Sequence, residues 1–171
     1  MKKVIVIVLA LAAVMLALPI STAYATGCMS VNAILQMMGP PTYEKQIALG
    51  NIEIVSGTAP FWWGWTPTGM VGDIQGSAIC HFVWIFYEDG SVTGISVHKI
   101  ESAIVTVGEN TLTGSLTILI TIKKGWIGRW IVLRGTGDLE NLHGGGTWEA
   151  NLATPNNPYD YLYSGTFRLR P

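Results

Sequence analysis

Two of the three histidines, His81 and His98, flank the segment Glu88-Asp89-Gly90-Ser91 at similar distances. Asp-Gly suits the tight turn of a β-hairpin. With Asp89 and Gly90 as a two-residue loop, Tyr87 faces Val92, Ile85 faces Gly94, Val83 faces Ser96 and His81 faces His98. Directly opposed side chains stand about 5 Å apart at Cβ, so the two imidazoles would meet on one face of the hairpin. A cross-strand pair of this kind can chelate Zn²⁺ or Cu²⁺, or pass a proton in acid–base work. Glu101 or Asp73 would supply a third ligand. One bulge between the turn and the histidines would break the pairing. No other cofactor is expected.

The second chemical resource is aromatic. Phe61-Trp62-Trp63-Gly64-Trp65 lies between Pro60 and Pro67 and reads as a loop. Each such ring buries ~150–250 Å², so the cluster must plug an end of the fold, stack on a ligand, or meet a membrane interface or partner. Trp84, Trp126, Trp130 and Trp148 fall within strand-like runs and are candidates to line a lumen. The charged residues of the last runs, Arg129, Arg134, Arg168 and Arg170 with Asp138, Glu140 and Glu149, suit surface ion pairs worth ~0–1 kcal/mol each. His143 sits in a glycine-rich turn and reads as solvated.

The elements that must position these groups read as strands. Arg134 to Glu149 holds five glycines between short apolar runs, a spacing that marks corners and bulges in tightly turned β structure. Candidate strands run over about 46–56, 70–87, 91–107, 111–123, 126–136, 144–152 and 161–170, rich in β-branched and aromatic residues and separated by Gly, Pro, Asn and Asp. Short connections between long strands build a meander, and seven such strands are better closed than left with edges. The expected fold is all-β, a single antiparallel meander barrel of about seven or eight strands. A signal peptide and a short irregular or helical segment, with a helix over Asn32–Met38, would precede it. The organisation expected is 1–25 leader, 26–45 arm and 46–171 barrel.

Gly135-Thr136-Gly137-Asp138-Leu139-Glu140-Asn141-Leu142-His143-Gly144-Gly145-Gly146-Thr147-Trp148, followed by Tyr163-Ser164-Gly165-Thr166, resembles the C-terminal part of small barrels of the allene oxide cyclase-like kind, relatives of the calycins and dirigent proteins. The resemblance covers roughly 110–170 and rests on glycines. It therefore implies a fold and, by analogy, a lumen able to hold a small apolar molecule, and it carries no catalytic residue over.

Lys2 and Lys3, an apolar run from Val4 to Leu18, Pro19 and Ala23-Tyr24-Ala25 describe a secretory signal peptide cleaved after Ala25. An uncleaved N-terminal anchor is the alternative, so the setting is secreted or extracytoplasmic, with membrane tethering left open. The remaining 146 residues suffice for one domain and carry a net charge near −3. Nothing clusters Lys or Arg, which argues against nucleic-acid binding. In an oxidising compartment Cys28 and Cys80 can form one disulfide, the alternative being two free or separately buried thiols. There is no G-x-S-x-G, H-E-x-x-H, phosphate loop or dinucleotide fingerprint, and neither cysteine has a base at a recognisable spacing. The first expectation is a binding module for a small hydrophobic or amphipathic ligand, at His81, His98, Trp84, Trp126, Trp130, Trp148 and the loop residues Trp62, Trp63 and Trp65. The alternatives are a cyclase- or isomerase-like enzyme using the His pair and a structural cell-surface subunit that oligomerises.

Overall fold

A computed structural model describes residues 29–65, 71–107, 110–123, 125–150 and 160–169. The leader, the arm as far as Cys28, and Arg170 lie outside the described residues. What is described is one antiparallel sheet of nine strands: β1 (Met29–Met37), β2 (Thr42–Leu49), β3 (Ile52–Trp65), β4 (Val71–Tyr87), β5 (Val92–Val107), β6 (Asn110–Lys123), β7 (Ile127–Gly135), β8 (Leu142–Ala150) and β9 (Asp160–Leu169). A single 3₁₀ turn, Gly137–Leu139, links β7 to β8. Sequence neighbours pair from β2 through to β9, β9 pairs β1, and β1 returns to β3, which closes the sheet into a ring.

β1 and β2 share one edge of β3. β1 faces its end, Phe61–Trp65, and β2 faces its start, Ile52–Thr58, so the two form one stave interrupted at residues 38–41. β9 pairs only the β1 half, and among the described residues the outer edge of β2 has no neighbour. Following paired residues around the ring leads from Gln46 through Val55, Trp84, Gly94, Ile122, Gly128, Trp148 and Tyr163 to Ala33. The path returns to its own stave thirteen residues away. Stagger of that size goes with steeply tilted strands and a lumen that needs large side chains to fill it.

Three expectations change. Residues 32–37 are strand, not helix: their backbone pairs with β9 on one side and β3 on the other, and long-range pairing overrides a weak local preference. The run 46–56 is two strands around a turn at Gly50, whose φ of 58° suits glycine. The aromatic run 61–65 is the end of β3, not a loop, with Pro60 accepted at an edge where its carbonyl takes the Met38 N–H.

The fourth change decides the chemistry. Tyr87 N donates to Ser91 O and Gly90 N to Tyr87 O, so the β4–β5 loop has three residues, Glu88, Asp89 and Gly90. Gly90 takes φ 76°, and the Asp89 carboxylate accepts from both Ser91 N and Ser91 Oγ. A three-residue loop ending in a left-handed glycine replaces the two-residue one. One residue of slip exchanges faces: His81 now pairs with Val97, and Cys80 with His98.

The core is the lumen. On β4 the even residues Ile74, Ala78, Cys80, Phe82 and Trp84 are buried, and on the facing strands Trp63, His98, Ile118, Trp130, Trp148, Tyr163 and Phe167 join them. The glycines of the sequence motif are steric partners of these rings. A Cβ at Gly165 would stand 2.7 Å from the Trp130 ring, one at Gly128 2.5 Å from Trp148 Nε1, and one at Gly144 2.5 Å from the Phe167 ring. Wall glycines let aromatic rings lie flat against the sheet.

Candidate functional site

His98 is carried inward by β5, 2% exposed, across from Cys80 on β4. Its ring packs against Phe61 at 4.9 Å and edge-on to Trp63 at 6.0 Å. Among the described residues, two buried side-chain polar atoms lack a partner, His98 Nδ1 and Trp63 Nε1, and they belong to these touching rings. An unpaired buried polar atom costs about 1–3 kcal/mol, so such atoms mark a place where a partner belongs.

Around His98 stand Cys80, Ser96, Tyr161 and Tyr163. Ser96 is the junction of this cluster: its Oγ accepts the Trp84 indole N–H at 3.0 Å, and it hydrogen-bonds the Cys80 thiol. Burial pushes the Cys80 thiol up to about 12, against a smaller opposing effect of the Ser96 bond. Burial lowers the His98 imidazole to about 3, and it raises Tyr163 well above the usual phenol range, with Tyr161 and Cys80 adding to the rise. The thiol and the imidazole therefore stand opposite each other as neutral groups. A nucleophilic cysteine needs a stabilised thiolate, and this one has the reverse.

A hollow of about 20 Å³ opens beside His98 and Ser96, walled by Trp84, Trp126, Trp148 and Tyr161. That is room for about one water-sized group, so the lumen is largely filled by its own side chains. Trp126 lies at the mouth, half-buried in the β6–β7 turn. Its ring stacks on Tyr161 and meets Trp84 edge-on, both at 6.3 Å.

The expected site residues distribute as follows. His98, Trp84, Trp126 and Trp148 come together at the hollow. Trp130 and Trp63 are also interior, but Trp130 lies away from the hollow against Tyr163 and Phe167. Trp62 is half-buried on the opposite face of β3 from Trp63, and Trp65 pairs through its backbone with Ile34 and Val71. His81 is exposed on the outer wall, so the His81–His98 pair and the metal site built on it do not form. Among the described residues no group of three or more His, Cys, Asp or Glu is placed to hold a metal. Cys80 is buried, and the disulfide expected with Cys28 falls outside the described residues. His143 is exposed, and Asp138 binds Thr113 N and Oγ1 rather than an arginine. Reading Glu88-Asp89-Gly90 as a three-residue loop was the one signal that would have placed Cys80 opposite His98.

A larger depression of about 490 Å³ lies on the outer wall of β7–β9, between Lys123, Ile127, Arg129, Thr147, Glu149 and Leu162. Among the described residues no buried polar atom without a partner points into it, so the smaller interior hollow carries the chemical argument. Comparisons with protein families, curated proteins and solved structures give no match to this chain. Function must be argued from the hollow itself.

Proposed function

We propose that the protein is an extracytoplasmic binding module for a small hydrophobic or amphipathic molecule, taken into the Trp126 end of the barrel with His98 as its polar anchor. The observation that carries this reading is His98 Nδ1, buried and without a protein partner beside an aromatic-walled hollow. Ligand sites pair apolar walls with a few convergent polar groups, and His98, Ser96 and Trp63 Nε1 supply them here. The resemblance of residues 110–170 to allene oxide cyclase-like barrels points the same way by analogy alone. The leader read over residues 1–25 supports the extracytoplasmic setting. Native mass spectrometry of the protein from its own host tests the proposal. A small mass retained in the wild type and lost in His98→Leu is expected, and a bare protein in both would contradict it.

One observation favours a second reading. The lumen is nearly full, and β2 presents an outer edge with no neighbour among the described residues, flanked by exposed Met38, Tyr43 and Leu49. A free edge pairs readily with another chain, which suits a structural subunit that assembles at a surface. The same spectra decide it: a bare chain at twice or more the monomer mass supports assembly, and a bare monomer contradicts it.

A further inference from the structure

Four of the interior tryptophans are held in two ways. Trp84 donates its indole N–H to Ser96 Oγ at 3.0 Å, Trp130 to Ser164 O at 3.1 Å, and Trp148 to Thr121 O at 2.9 Å. Each ring is pinned at its polar end. Trp126 has ring contacts only, with Tyr161 and Trp84, and among the described residues its indole N–H has no partner. Its backbone is tied where its carbonyl accepts the Ala150 N–H at 3.0 Å, while its half-buried side chain is held by packing alone. It is also the one non-glycine among the described residues at positive φ, 56°. An L-residue held there costs roughly 1–2 kcal/mol, and such outliers cluster at clamps and gates.

The position of this ring defines a shape. It lies face-on to Tyr161, at an interplanar angle of 26°, and edge-on to Trp84 at 76°, directly over the hollow beside His98 and Ser96. Remove the indole and the remainder is a flat slot the size of a fused bicyclic ring, aromatic on its walls and polar at its floor. The hollow alone, about 20 Å³, admits no organic ligand, so any occupant of that size must take the place of Trp126. Among the described residues no Lys, Arg, Asp or Glu lines the hollow. A charged ligand group would be buried there without a counter-charge, at high cost.

We infer that Trp126 is the gate and internal place-holder of the site, and that the ligand is a flat, neutral ring system with one hydroxyl or carbonyl. The ligand displaces the indole, stacks on Tyr161, and sets its polar atom toward His98. This inference rests on the ligand-site reading above, and the experiment separates the two. The full chain is labelled with 5-fluorotryptophan, and its ¹⁹F resonances are assigned by single Trp→Phe substitutions. It is then titrated with 2-naphthol as a neutral probe and 2-naphthoate as its charged counterpart, with affinities measured in parallel by calorimetry.

The expected result is binding of 2-naphthol with the Trp126 resonance moving to the position of free 5-fluorotryptophan while that of Trp130 stays. 2-Naphthoate binds at least about tenfold more weakly. Trp126→Ala binds 2-naphthol about tenfold more tightly than wild type, because the closed state no longer competes. Binding of 2-naphthol with an unmoved Trp126 resonance and no gain in Trp126→Ala would overturn the gate and leave the ligand site standing. Equal binding of the two probes would overturn the neutral-ligand assignment. No binding to wild type or variant would overturn gate and site together.

Discussion

The lumen holds rings of the same types by two different means. Trp130, Trp148 and Phe167 each lie on a wall glycine, and both indoles donate to backbone carbonyls of neighbouring strands. Around Trp126, Trp84 and His98 the rings lean on one another, and a histidine nitrogen lies buried with no partner. The first group is over-determined: position, orientation and polar satisfaction of each ring agree. The second leaves the Trp126 indole unpinned and two polar atoms on touching rings, His98 Nδ1 and Trp63 Nε1, unpaired among the described residues. Packed cores spend their polar groups on themselves, so the place where they are left over is the place to look for a partner.

The comparison can be broken most severely at the glycines. Gly165→Val drives side-chain atoms into Trp130 and the Gly145 backbone, and a loss of about 3 kcal/mol or outright failure to fold is expected by urea unfolding. Gly125, beside Trp126, has open space around its Cβ position, so Gly125→Ala loses only the about 1 kcal/mol of its left-handed backbone. Next in size, Trp148→Phe leaves Thr121 O unpaired and a void behind, for about 2–3 kcal/mol. Trp126→Phe costs under about 1 kcal/mol in the same assay, because no hydrogen bond is lost and the ring is half-exposed.

Acid sharpens the contrast from another side. His98 is lowered from 6.5 to about 3, so between these values the unfolded chain holds a proton at this site that the folded one does not. Stability from His98 is therefore complete above about pH 6.5 and falls as pH drops, by about 1.4 kcal/mol per unit. Unfolding free energies between pH 6.5 and 5 should show that slope in wild type and lose it in His98→Leu. The smallest effect belongs to His81: on the outer wall across from Val97, His81→Ala should stay within about 0.5 kcal/mol by thermal unfolding.

Much of the fold was legible because strand signals are local. The runs ending in β4, β5, β6, β7 and β9 were bounded to within a few residues by their β-branched and aromatic content and by the turns between them. The glycine motif was legible as geometry but not as packing, since the rings it accommodates, Trp130, Trp148 and Phe167, come from other positions in the chain. β1 was illegible for the converse reason: Asn32-Ala33-Ile34-Leu35-Gln36 carries no strong strand preference and becomes a strand only between β9 and β3. The site was half legible. His98 and three of the tryptophans at the hollow were in view, but a loop one residue longer than Asp-Gly suggests moved His81 outside and set Cys80 in its place. Register integrates every residue between turn and site, so a single miscount at Glu88 reassigns everything beyond it.

The most direct test of this difference between the rings is hydrogen exchange of the indole N–H groups, followed by ¹⁵N NMR of the tryptophan-labelled protein without ligand. Trp130 and Trp148, bonded to Ser164 O and Thr121 O, should exchange slowly, while Trp126 exchanges at close to the rate of free tryptophan. Protection of Trp126 equal to that of Trp130 and Trp148 would contradict the account, because all three rings would then be locked alike and none would be free to yield its place.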